Sequence, residues 1–172
     1  MALADSILLS RVRCWRVFGS GTWSQPIVPS SATQRRLLFG FFYQVAKLSR
    51  VPFGSLVWVS RHERGGRTGR EHYHWLIGAT DWKPAISDMF RLNALWDDQP
   101  KCGFARNYLY DAALNGVEYL LKGLSSEILK RGSGADFYES GKFCRGDIDV
   151  ILSSSIFRLV GGRRTIALRD GA

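Results

Sequence analysis

Hydrophobic and polar positions change their period several times along the chain, and each change predicts an element. Residues Val12 to Phe18 suit a first strand, and the following SGTWSQPIVPSS is rich in Ser, Gly and Pro and reads as a loop. From Ser31, a candidate N-cap, apolar residues recur at helical spacing through Leu38, Phe42, Val45 and Leu48. Pro52 and Gly54 end that predicted helix. SLVWVSRHE alternates from Leu56 onward, a glycine-rich turn runs from Gly65 to Gly69, and EHYHWLIG alternates again, so the two runs predict a β-hairpin. Trp82 to Trp96, with Lys83-Pro84 at its start, predicts a second helix, and Asn107 to Leu124, interrupted by Gly116, a third. From Arg131 to Ala172, polar loops alternate with IDVILSSSIFRLV, a segment able to add strand pairing.

Strand, helix, hairpin and further helices in this order predict an α+β fold, a central antiparallel sheet with helices packed on it. The strand carrying HYHWLI belongs at the centre, because Tyr73 and Trp75 make its second face apolar enough to be covered. With no repeat and no clear boundary, residues 1–172 form one expected domain. Its core spans about 12–124, with a C-terminal extension over about 131–172.

Composition narrows the partners. A chain of 172 residues, 45% hydrophobic and 13% aromatic, can build its own core, which sets disorder aside as the main state. Lys and Arg number 24 against 15 Asp and Glu, and the formal charge of +9 favours a polyanion such as nucleic acid. No long basic amphipathic helix suggests a membrane surface instead. Cys14, Cys102 and Cys144 are too scattered for a CxxC site or a disulfide framework. The start, MALADSILLSRVRC, is unlike a signal peptide, and nothing approaches transmembrane length, so the expected location is the compartment of synthesis.

The candidate chemistry lies between His62 and His74, which bracket all three histidines of the chain. His72 and His74 are one residue apart on a strand, so both imidazoles point the same way. Glu63 stands near the end of the partner strand. Together the three would form a mixed nitrogen and oxygen site with open positions, suited to a catalytic divalent cation. The plainer alternative makes Glu63 a solvated turn carboxylate. A set of His62, His72 and His74 is also open on composition, but His62 and Glu63 face opposite ways and only one of them can join.

A second constellation follows in NGVEYLLKGLS. On a helix Tyr119 and Lys122 share a face. A phenol with a pKa near ~10 needs a nearby cation to act as a nucleophile, and Lys122 can help to supply that charge. Gly116, one turn earlier, would leave room for a DNA backbone. Tyr108 and Tyr110 read as core residues. Arg61, Arg64, Arg67 and Arg70 flank the turn and, with Trp58 and Trp75, are candidates for phosphate contact and base stacking.

A glutamate closing one strand, a turn, a strand bearing His-hydrophobe-His and a downstream helix bearing Tyr-x-x-Lys resemble the HUH endonuclease superfamily. Within it, the resemblance is to the rolling-circle replication initiators (Rep proteins) of small plasmids, phages and single-stranded DNA viruses. The resemblance spans roughly Val12 to Leu124. It implies the RRM-like HUH sheet, with Glu63, His72 and His74 holding Mg2+ or Mn2+, Tyr119 as nucleophile and Lys122 as its helper. It also implies cleavage of single-stranded origin DNA through a 5′-phosphotyrosine, with a host helicase and polymerase as further partners. The implied location is the cytoplasm, or the host nucleus for a protein of a eukaryotic virus.

Two departures stand out. RCWRVFGSGTW only loosely matches the first motif of Reps, and no GxxxxGK[ST] follows Tyr119. A single tyrosine also fits single-strand transposases. Relaxases usually place the tyrosine before the histidines. A non-catalytic basic nucleic-acid-binding domain explains the charge and the sheet, but not the order of the motif residues.

Overall fold

The computed structural model describes residues 9, 11–26, 28–64, 70–121, 148–153, 155 and 156. Five strands form one sheet: β1 (Trp15–Trp23), β2 (Val57–Arg64), β3 (Glu71–Gly78), β4 (Cys102–Leu109) and β5 (Ile148–Leu152). Among the described residues three complete α-helices accompany them, α1 (Ser31–Ser49), α2 (Ile86–Asp97) and the short α3 (Gly116–Leu121). The strand order is β4-β1-β3-β2-β5 and every neighbouring pair is antiparallel, as the sequence leads one to expect of an α+β sheet. β3, the HYHWLI strand, lies at the centre.

The two faces of the sheet have different covers. On one, Val17, Trp23, Trp58, Tyr73, Trp75 and Ile77 meet Leu38, Phe41, Phe42 and Val45 of α1 and Met89, Leu92 and Trp96 of α2. On the other, a smaller cluster of Val59, Leu76 and Leu152 packs under Val117 and Leu120 of α3. The remainder of this second face carries the histidine pair.

β1 runs farther than the Ser and Gly content of SGTW suggests, extending to Trp23 with strictly alternating burial. Its glycines are small because of what lies over them. A Cβ on Gly19 would collide with the Trp75 indole and Asn107, and one on Gly21 would stand 2.6 Å from both Trp75 and Trp96. Turn-like composition here marks a strand that yields its side-chain volume to tryptophans.

Other boundaries shift for local reasons. Ser30, not Ser31, caps α1, its hydroxyl accepting from the Thr33 amide, and Arg50 ends the helix in the left-handed region at φ 57°. α2 begins at Ile86, with Trp82 to Ala85 outside it. The helix expected from Asn107 is corrected. Residues 102–109 form edge strand β4, and helical backbone resumes only at Ala112–Leu114, a 3-10 turn, and then at α3. Of the expected C-terminal extension, β5 pairs with β2 and Ser153, Ser155 and Ile156 follow it, while the rest lies outside the described residues, as does the hairpin turn at 65–69.

Candidate metal centre and its tyrosine

Hairpin register builds the site. Glu63 of β2 lies directly opposite His72 of β3, and Arg61 directly opposite His74. Cross-strand partners and residues two apart on one strand share a face, so these four side chains project together. His72 Nε2 is 3.1 Å and His74 Nε2 3.3 Å from the same oxygen, Oε1 of Glu63. One potential ligand atom from each of the three lies within 4.8 Å of the others. His62 is on the opposite face. Its ring lies 4.8 Å from that of Tyr73, and its Nε2 is 3.4 Å from Glu71.

The donor set fits a cation. His72 Nδ1 lies 3.1 Å from the Arg70 carbonyl, which can only accept, so Nδ1 carries the proton. In a neutral ring Nε2 is then a lone pair facing a carboxylate, which is repulsive. Either a second proton or a metal ion between the groups relieves that repulsion. The proton alternative shows in the acidities. The hydrogen bond to Glu63 raises the His72 pKa, against burial, which lowers it. Hydrogen bonds from His72 and His74 hold the Glu63 carboxyl well below the usual carboxylate range.

Tyr119 reaches the same place from α3. Its hydroxyl is 3.3 Å from His74 Nε2, and its ring meets Phe18 edge-on at 5.9 Å, while Phe18 stacks on His74. The residue remains 39% exposed, so a substrate can reach it. Burial of the phenol, then the Glu63 charge, push its pKa above that of a free tyrosine. Lys122, the expected helper, lies outside the described residues.

The other expected contacts are placed as follows. Arg61 is 5% exposed, with Nε 3.0 Å from Glu63 Oε2 and one terminal nitrogen donating to the carbonyls of Tyr119 and Leu120, both at 3.1 Å. Its guanidinium thus serves the protein interior, tying a candidate ligand to the helix that carries the tyrosine. Sequence reasoning missed this, although the i, i+2 spacing of Arg61 and Glu63 signals a shared face. Arg70 donates to Thr22 Oγ1 and to the Trp23 carbonyl. Arg67 and the side chain of Arg64 lie outside the described residues.

Trp58 and Trp75 are corrected from base-stacking candidates to core residues, 2% and 0% exposed. Trp75 donates from its indole to Asn107 Oδ1 at 2.8 Å. Tyr108 is corrected the other way, from core to 56% exposed. Gly116 is buried, and the space beside it is occupied by Tyr110 and Phe18 rather than left for a backbone to pass. No helix among the described residues is long and apolar enough to cross a membrane.

No known family model matches the chain, and no curated protein does. A similar solved structure is the N-terminal nuclease domain of non-structural protein-1 of minute virus of mice, described with a Zn2+ ion in its active-site pocket and with DNA recognition at the origin of replication. The match has 15% identity and a TM-score of 0.39, and covers 56% of this chain and 59% of that one, less than two thirds of its length. A likeness this distant leaves the chemistry of the site to its own geometry.

Proposed function

We propose that the protein is a metal-dependent single-stranded DNA endonuclease and strand transferase with Tyr119 as its nucleophile, acting as a rolling-circle replication initiator. The observation that carries this reading is the Tyr119 hydroxyl at 3.3 Å from His74, beside a carboxylate and a second imidazole drawn from two paired strands. Glu63, His72 and His74 would hold Mg2+ or Mn2+, whose charge polarises the scissile phosphate and offsets the Glu63 charge that otherwise keeps Tyr119 protonated.

The residues of the chain do the rest. Tyr119 gives up its phenolic proton as Oη attacks phosphorus, the bond to the 3′ oxygen breaks, and one proton passes to that oxygen, which leaves as a hydroxyl. The strand stays on the tyrosine as a 5′-phosphotyrosine. Because the new linkage is again a phosphodiester, a second 3′-hydroxyl reverses the step without ATP. Arg61 keeps Glu63 and the Tyr119 turn in register, and Phe18 bears on both His74 and Tyr119. Lys122 would add positive charge near the phenolate. In this reading a host helicase unwinds the duplex and a host polymerase extends the freed 3′ end, in the cytoplasm or in a host nucleus.

Incubation with 5′-blocked, 3′-labelled single-stranded DNA and Mn2+, resolved on a denaturing gel, tests it. The wild-type protein should carry the label covalently, and Tyr119→Phe should bind DNA but form no adduct. Phe replacements of Tyr108, Tyr110 and Tyr138 should still form it. Binding by the wild type without any cleavage would instead identify a non-catalytic domain, and an adduct surviving Tyr119→Phe would remove that residue from its role.

A further inference from the structure

Register extends the site across the sheet. Ser20 of β1 pairs with both His74 on β3 and Arg106 on β4, and Phe18 likewise pairs with both Leu76 and Tyr108. Ala105 and Asn107 face the large core, so Phe104, Arg106 and Tyr108 project from the metal-site face. They form an aromatic, cationic, aromatic row along the edge strand, with Phe104 76% and Tyr108 56% exposed. Two strand spacings, about 10 Å, separate this row from the histidines. Ser20 between them is short, so the candidate ligands flank this surface on one side and the row on the other, with the Arg70 guanidinium on Thr22 at one end. Beyond the row, Arg106 and Tyr108 also line a groove of about 630 Å³ that reaches Phe90 of α2.

An exposed edge strand would ordinarily invite another strand. Here two amides of β4 are already taken, Ala105 N–H by Asp97 and Asn107 N–H by Asn93, at 2.7 and 2.9 Å. What the edge offers is side chains rather than backbone. Flat rings alternating with a guanidinium suit stacked bases and a phosphate, and the excess of basic residues gives the matching charge. We propose that Phe104, Arg106 and Tyr108 form a track that holds the nucleotides flanking the scissile phosphate, Phe104 and Tyr108 stacking on bases and Arg106 meeting the backbone between them. This rests on the reading above that a single strand is the substrate.

The full chain is titrated into labelled oligothymidylate in EDTA, so that binding is read without cleavage, and the oligomeric state is followed by light scattering. Phe104→Ala and Tyr108→Ala should each weaken binding on the order of tenfold, and the double variant more. Phe104→Leu with Tyr108→Leu, which keeps apolar bulk but removes the π-faces, should weaken it equally, whereas Tyr108→Phe should bind like the wild type. Arg106→Ala should make the salt dependence shallower by about one unit. Unchanged affinity in the double leucine variant would overturn the track. So would a wild-type dimer that the same variant dissociates while DNA affinity is retained, which would make the row a contact between copies. Failure of the nuclease reading is separable: a wild type that never forms the adduct but loses affinity on these substitutions keeps the track and loses Tyr119.

Discussion

Arg61 shows how one residue can couple chemistry to packing. Its guanidinium satisfies Glu63 Oε2 and two carbonyls in the last turn of α3, groups that would otherwise be left without a partner near the interior. Arg61→Ala should therefore destabilise by roughly 2–3 kcal/mol in urea denaturation, and Arg61→Lys should recover only part, because a point charge cannot span both groups. Acidity gives a second test. Glu63 is held low, so its stabilisation is present above its unfolded value near ~4.3 and is lost as pH falls below it. His72 is raised, so its stabilisation is full below its unfolded value near ~6.5 and disappears as pH rises through the raised one. In EDTA the pair should contribute most between about pH 4.5 and 6.5. A cation needs the lone pair that the proton occupies, so stabilisation by Mn2+ in thermal unfolding should grow from about pH 6 to pH 8. Equal stabilisation at both ends would argue against these ligands. The triad was legible because strand alternation and hairpin pairing fix directions from sequence spacing alone. The Arg61 link was not, because its far end depends on where α3 docks.

At the scale of elements, the hairpin and α1 were legible because their apolar residues point inward. β4 inverts that signal. Its inward positions are Cys102, Ala105 and Asn107, small or polar, while Phe104 and Tyr108 face out. Asn107 is buried because it accepts from Trp75 and is held by Asn93, a three-element link that no local pattern announces. Sequence pattern alone shortens β1 for a related reason, since its glycines answer to tryptophans distant in sequence. Gly21→Ala should accordingly cost about 1–3 kcal/mol through overpacking, and Gly19→Ala more, because its added methyl would also displace the Trp75 to Asn107 hydrogen bond. Denaturation midpoints check both. A neutral result at Gly21 would mean that Trp75 and Trp96 shift easily, contrary to the close packing of their rings, whose centroids are 5.1 Å apart.

For the molecule as a whole, one sheet separates two unequal tasks. The face under α1 and α2 holds most of the buried aromatic residues, while the other is covered by α3 at one end and carries the candidate chemistry on the remainder. The candidate ligands therefore stand on β2 and β3, each bonded along both edges, and the tyrosine on a six-residue helix that docks through Val117, Leu120 and the Arg61 contact. Such a layout has a consequence in the order in which the protein opens. Amide exchange should be slowest in β3, where release requires the sheet to come apart, and far faster in Val117 to Leu121, where lifting one turn suffices. Partial openings would then detach Tyr119, the proposed nucleophile, while both imidazoles keep their places. In the proposed reaction, a strand end joined to Tyr119 could then swing away from the candidate metal site and return without the protein unfolding. Exchange measured by mass spectrometry would show it as two separate protection classes, and a single class spanning β3 and α3 would mean that they open together.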